Sequence, residues 1–240
     1  GNPVGSAPAD VVCGQQVQQR LSGPVVNGKP ADALEPEKST TFSVGMVFEP
    51  TNEVTFGLDY YNIKIKNLIS NTPEQTIFGD PTKYASSIRR CGQLSATERA
   101  LIDVCANFSP TLDPIAYIDT PTQNLGDVKT SGFDVSFAYR SPTTSYGRFG
   151  ISLDGTYILK YEYQRAAGEP YIEAVGRYTD NAPVFRWQHQ LTGTLSAGSW
   201  LLALTQNYKT GYTDQDPIDS VRHYQLWDAT VTWTGVKNLT

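Results

Sequence analysis

The stretch Asn124–Tyr163 reads NLGDVKTSGFDVSFAYRSPTTSYGRFGISLDGTYILKYEY, and its pattern decides the fold. Phe133, Val135, Phe137 and Tyr139 fall at every second position, with Asp134, Ser136, Ala138 and Arg140 between them. Alternation of this kind belongs to a strand whose two faces meet different surroundings. Ser141-Pro142-Thr143-Thr144-Ser145 is a turn, rich in residues that punctuate strands. Alternation resumes at Phe149, Ile151 and Leu153 and ends in Tyr157, Tyr161 and Tyr163. Each arm is expected to exceed ten residues, whereas an ordinary strand has about five or six.

The pattern spreads in both directions. Upstream, Phe42, Val44, Met46 and Phe48 share a face. Pro50-Thr51-Asn52 is a short turn, and Val54, Phe56, Leu58 and Tyr60 resume. Downstream, strand signal runs from Phe185 to Leu195, turns at Ala197-Gly198, and returns from Trp200 to Tyr212. A last strand spans Tyr224 to Trp233, with Trp227, Ala229, Val231 and Trp233 on one face.

Connections alternate strictly. Short ones centre on Thr51, Thr143, Ala197 and Lys237; long ones occupy residues 1–39, 67–124, 164–184 and 213–221. All short turns therefore lie at one end of the sheet, as in outer-membrane barrels. Aromatic residues near the strand ends suit interfacial girdles. The face carrying Asp59, Asp134, Arg140, Asp154 and Arg186 suits a wet or filled lumen. The reading is all-β: part of an antiparallel up-and-down transmembrane β-barrel, about seven to eight long strands with long extracellular loops. Residues 1–39 form a loop-rich extracellular segment, and 40–240 a partial barrel interrupted by the 67–124 loop. Within that loop, Ser95-Ala96-Thr97-Glu98 resembles a capping box opening a short helix. A small strand is expected near Ile115–Ile118. Excursions of this length are usually functional.

Composition agrees. Of 240 residues, 18% are charged, against 14 Tyr, 9 Phe and 4 Trp with a single Met, a mixture that favours strands. The net charge of −5 offers no broad attraction to nucleic acid. No run of 18 apolar residues suggests a membrane helix, and no export signal is visible, so the chain is expected to start either after any such signal or in the middle of something larger. Cys13, Cys91 and Cys105 are an odd set. Cys91 and Cys105 are read as a loop disulfide in an oxidising compartment, with two free thiols as the alternative; Cys13 awaits a partner upstream. The only histidines, His189 and His223, lie far from these cysteines, so no metal site is expected. Asp214, Asp216 and Asp219 lack the Gly and terminal Glu of a calcium loop. No phosphate loop or Ser-His-Asp set is present, so neither catalysis nor a cofactor is expected.

Several motifs, in order, resemble the C-terminal barrel of TonB-dependent outer-membrane receptors. Leu34-Glu35-Pro36-Glu37-Lys38-Ser39, followed by Gly45, is similar to that family's L-x-P-E-x-S entry into a strand. Asp59-Tyr60-Tyr61-Asn62-Ile63, with Lys66-Asn67-Leu68-Ile69 at its exit, is similar to the D-Y-Y-x-I strand. Asn124-Leu125-Gly126, then Gly132-Phe133-Asp134, resembles the N-x-G…G-x-E/D strand. Asn181-Ala182-Pro183 with Arg186, then Trp227-Asp228 and Gly235-Val236-Lys237-Asn238-Leu239, match later strands. The resemblance covers residues 34–240 and implies roughly a third of a 22-stranded barrel, without the plug domain or the TonB-contacting box. It implies an outer-membrane location, import of a scarce ligand (an iron chelate, a cobalamin or an oligosaccharide), energy from a TonB complex, and no transport by the section alone. Tyr84, Arg89, Arg90 and Tyr178 lie on loops and are candidates for ligand contact, but plain surface roles are the stronger reading, and the ligand-binding residues stay unassigned. Two other functions fit an all-β chain: a passive porin, and a soluble ligand-binding module with polar outer faces.

Overall fold

A computed structural model describes residues 18–22, 34–109, 111–180, 182–214 and 219–236; Cys13, Asp216 and the Lys237 turn lie outside the described residues. In chain order the strands are β1 (Gln18–Ser22), β2 (Lys38–Thr51), β3 (Val54–Lys66), β4 (Ile69–Asn71), β5 (Ile88–Arg90), β6 (Ile115–Asn124), β7 (Val128–Arg140), β8 (Arg148–Tyr163), β9 (Ile172–Glu173), β10 (Arg177–Thr179), β11 (Ala182–Val184), β12 (Trp187–Ala197), β13 (Trp200–Lys209), β14 (Tyr212–Thr213), β15 (Ser220–Val221) and β16 (Tyr224–Trp233). Two short helices are α1 (Glu74–Gly79) and α2 (Ala96–Arg99). The chain forms two compact units: Gly1–Lys38 with Lys66–Asp127 and Gln164–Glu169, and Ser39–Ile65 with Val128–Tyr163 and Pro170–Thr240.

The second unit holds the long strands in the order β16-β13-β12-β8-β7-β3-β2, with β9 beside β8. Seven strands of 10 to 16 residues follow one another up and down. The sheet is open, with β2 and β16 at its edges. Register carries the two faces across the sheet. Phe56, Phe137, Leu153 and Leu191 stand opposite one another in one row. Its neighbour on the other face runs Gly57, Ser136, Asp154, Gln190 and Asn207. A single slip of register would exchange the faces. One irregularity is built in, a bulge between Ser131 and Gly132. A Cβ at Gly132 would collide with the Tyr157 carbonyl and the Tyr61 hydroxyl, so glycine is required there.

The outward face has aromatic ends and an aliphatic middle. Trp200 faces Trp233, ring centres 6.1 Å apart, at the short-turn end. Trp187, His189 and Tyr208 crowd the far end. Trp200 and Tyr208 are eight residues apart on β13, about 26 Å at ~3.3 Å per residue, close to the height of a barrel's apolar band. Between them Ile151, Leu204 and Val231 are 46%, 49% and 62% exposed, too much aliphatic surface on one face to leave in water.

Three details depart from expectation. The strand anticipated at Phe185 begins at Trp187, so Arg186 lies outside the wall; its carbonyl accepts from Ile158 N–H at 2.9 Å. The β13 strand ends at Lys209, not Tyr212. The stretches 164–184 and 213–221, expected to be irregular, contribute a four-stranded sheet, β11-β10-β14-β15. Two- and three-residue strands carry too little periodicity to be seen.

The first unit contains a folded module. Its sheet runs β1-β6-β4, with β5 also on β6. The β6 strand starts at the anticipated Ile115 but continues to Asn124. One buried cluster joins Ile77, Phe78, Ile88, Ile115 and Ile118; another joins Cys91, Leu94, Cys105 and Ala116. The capping box forms as expected: Ser95 Oγ accepts from Glu98 N–H at 3.2 Å and Ser95 N–H donates to Glu98 Oε2 at 2.8 Å. The six-residue helix α1 is too short to show helical periodicity, and only Pro73 before acidic Glu74 marks its start. Cys91 and Cys105 form a disulfide with Cα atoms 5.5 Å apart.

The clusters have five and four buried members. At about 1.5–3 kcal/mol per buried side chain they oppose an ordering cost of about 1–2 kcal/mol per residue, so the staple matters. Closing a 14-residue separation stabilises by about 3 kcal/mol. Replacing both cysteines by serine should therefore accelerate amide exchange at Ile88 and Ile118 about a hundredfold in the full-length receptor. For the wall, Leu153→Arg places a charge at mid-height on the apolar face and should cost about 2–4 kcal/mol. Ser152→Arg, on the other face, should leave the yield of folded barrel on unheated SDS gels unchanged.

Candidate functional site

Two places on this chain carry organised polar chemistry. The first is the base of the module, where three separate stretches meet. Asn124 Oδ1 accepts from Glu35 N–H at 2.8 Å, and Asn124 Nδ2 donates to Glu35 O at 2.8 Å and to Asn67 O at 2.9 Å. A carboxamide has the donor and acceptor of a peptide group, so Asn124 completes both partners' backbones. Asn67 Nδ2 donates to Glu35 Oε2 at 2.9 Å, and Glu37 Oε1 accepts from Ile69 N–H at 2.6 Å. Asn67 sits at φ 57°, a left-handed conformation that asparagine tolerates. Beside it, Leu68 N–H donates to Gly126 O and Leu125 N–H to Leu68 O. Gly126 is needed because a Cβ would run into Gln164. Gln164 in turn accepts from Asp127 N–H at 3.0 Å. Lys83 and Glu169 pair at 2.7 Å, a hydrogen bond that holds the Lys83 ammonium above its usual pKa. Both side chains remain well exposed, so the pair adds little stability.

The second place is the inner face of the second unit. Its curvature encloses a concavity of about 470 Å³ lined by Asp59, Asp134, Asp154, Gln188, Gln190, Asn207 and Lys209, among others. Asp59 and Asp134 stand directly opposite in register, and Asp134 accepts from the Thr156 hydroxyl at 2.7 Å. Gln190 Nε2 donates to Asn207 Oδ1 at 3.1 Å, and Asn207 Nδ2 to Asp228 Oδ2 at 3.2 Å. The wall is polar and net acidic. At its loop end Lys209 lies over the Phe185 ring at 5.2 Å, and Phe185 packs edge-on to Tyr212, which meets Tyr178. Among the described residues no three His, Cys, Asp or Glu side chains gather as metal ligands.

Of the four loop residues singled out in the sequence, three have partners within the first unit. Arg90 donates to Asp113 O at 3.0 Å, Arg89 pairs with Asp119 at 3.5 Å, and Tyr84 packs against the module's first cluster. These three belong to the first unit, Tyr178 to the second. His189 is on the outward face: its Nδ1 accepts from Trp187 Nε1–H at 2.8 Å. Because indole only donates, the remaining proton lies on Nε2 and points to Gln206 Oε1 at 3.3 Å.

The sequence model described as TonB dependent receptor-like, beta-barrel matches residues 13–240. No curated protein matches the chain. Among solved structures, a mutant of the ferric enterobactin receptor PfeA from Pseudomonas aeruginosa, in complex with enterobactin, gives a TM-score of 0.51 at 13% identity over 88% of this chain and 26% of that one. Two further mutants of that receptor each give 0.50 at 13% identity, covering 88% of this chain and 25% of theirs. Identity this low speaks for the fold alone, and the chain spans about a quarter of the length of those receptors. No helix among the described residues is long and apolar enough to cross a membrane, and strands are the means by which a barrel crosses. With its sequence matched over almost its whole length and its strands wound up and down as a two-faced sheet, the chain belongs to the TonB-dependent receptor family, as a section of the β-barrel.

Proposed function

We propose that this chain is part of a bacterial outer-membrane receptor that imports a scarce ligand with energy from a TonB complex. The observation that carries the reading is the family match over residues 13–240 on a sheet of seven long strands, polar inside and aliphatic outside. Members of the family reside in the bacterial outer membrane. On this reading the outward face meets lipid and the short turns lie in the periplasm. The 67–124 module and the paired strands β10 and β14 face outside, where the ligand arrives, with 1–39 as a further extracellular segment. An iron chelate is preferred to a cobalamin or an oligosaccharide because three solved structures of like fold are of a ferric enterobactin receptor. The section alone does not transport. Its edges β2 and β16 are open, and a lumen needs closure.

The test is growth. The complete reading frame, placed in a Gram-negative host stripped of its own iron-chelate receptors, should restore growth on ferric enterobactin as sole iron source, and only while the host's TonB is intact. Growth that persists without TonB would identify a passive pore. Purification as a detergent-free monomer would overturn the membrane reading. Growth dependent on cobalamin or oligosaccharide instead would reassign the ligand and keep the receptor.

A further inference from the structure

We infer that Glu35, Glu37, Asn67 and Asn124 are positioning residues for ligand capture: they clamp the base of the 68–125 module and set the receptor's affinity without touching the ligand. The inference rests on the proposed receptor function.

The module's first and last strands meet at its base, with Ile69 opposite Asn124 and Asn71 opposite Thr122, while β1 from outside the module pairs with β6 further along. Its two clusters draw their buried side chains from within residues 77–118. None of the four polar residues belongs to either cluster. Apart from the Asn67–Glu35 side-chain pair, their partners are backbone groups at the base, and they bind across 89, 57 and 32 residues of sequence. Loosening them should open the base of the module and leave its interior folded.

The chemistry of the clamp is directional. Asn124 uses its oxygen and both amide hydrogens, joining the segment that leads into β2 to the outgoing strand β6 and to Asn67. Glu35 contributes its backbone N–H and C=O to Asn124 and its carboxylate to Asn67. Glu37 caps the amide of Ile69, the first residue of β4. Asn124→Asp keeps the acceptor but replaces the donating NH2 by an oxygen facing the Glu35 and Asn67 carbonyls, where it repels. Glu37→Gln keeps an acceptor oxygen for Ile69 N–H, and Glu37→Ala removes it.

The test uses the full-length receptor carrying Asn124→Asp, Glu37→Ala or Glu37→Gln. Without ligand, amide exchange at Leu68, Ile69 and Leu125 should rise about tenfold in Asn124→Asp and Glu37→Ala, stay as in the parent in Glu37→Gln, and remain unchanged at Ile88 and Ile118 in all three. With ferric enterobactin as probe, the half-saturating concentration for uptake should rise about tenfold in the first two variants while the maximal rate holds within about twofold. Unchanged exchange at the base overturns the clamp, and so does exchange that rises equally at the base and in the clusters. A fall in maximal rate at constant half-saturation overturns the role in capture. If the parent takes up no ferric enterobactin, the iron-chelate reading fails, and the exchange pattern alone decides the clamp.

Discussion

A backbone amide in hydrocarbon has no water to bond, so every N–H and C=O along a membrane-spanning strand must find its partner on the next strand. The rest of the second unit depends on this constraint. It explains why the strands are long, and why the ladder from Val54↔Tyr139 to Ile65↔Val128 runs without a break. It also explains why the single bulge between β7 and β8 sits where glycine removes the collision with Tyr157 and Tyr61. The hydrophobic effect, which drives a soluble sheet to cover one face, here selects which face meets lipid.

Polar groups on the apolar face obey the same constraint. Trp187, His189, Gln206 and Gln225 would each be costly there alone. They form one directed chain: indole N–H to His189 Nδ1, Nε2–H to Gln206 Oε1, and Gln206 Nε2 to Gln225 Oε1 at 3.3 Å. Every link consumes a donor that would otherwise face the bilayer. Gly155 makes room for the Trp187 ring, since a Cβ there would strike the indole. The chain lies at the end of β13 away from Gly198, where an aromatic girdle meets headgroups and partial hydration is tolerated.

The wall was legible because its signal is redundant. Period-two alternation repeats in seven segments, and the alternation of short and long connections orders them without any contact being known. The α2 helix was legible because a capping box is a local interaction. What could not be read depends on partners distant in sequence. The strand β1 pairs parallel with β6 about a hundred residues away and has no periodicity of its own. The strands β10 and β14 are three and two residues long and exist only because two loops meet. Arg186 was placed on the wall because its stretch alternates, but Ile158 takes its carbonyl just before the ladder begins.

The base of the module is an intermediate case. Leu34-Glu35-Pro36-Glu37, Lys66-Asn67-Leu68-Ile69 and Asn124-Leu125-Gly126 were each visible as a motif, yet no spacing between them suggested that they touch. Folding brings them into one hydrogen-bonded knot, and the residue types then have a physical cause. Asn67 tolerates the left-handed turn, Asn124 substitutes for a peptide group on both sides, and Gly126 clears space for Gln164. The knot lies wholly within the first unit, and none of its four polar side chains enters either buried cluster. Its strength comes from directed polar bonds to backbone groups rather than from apolar packing, so it holds three distant stretches together without drawing on the module's small core.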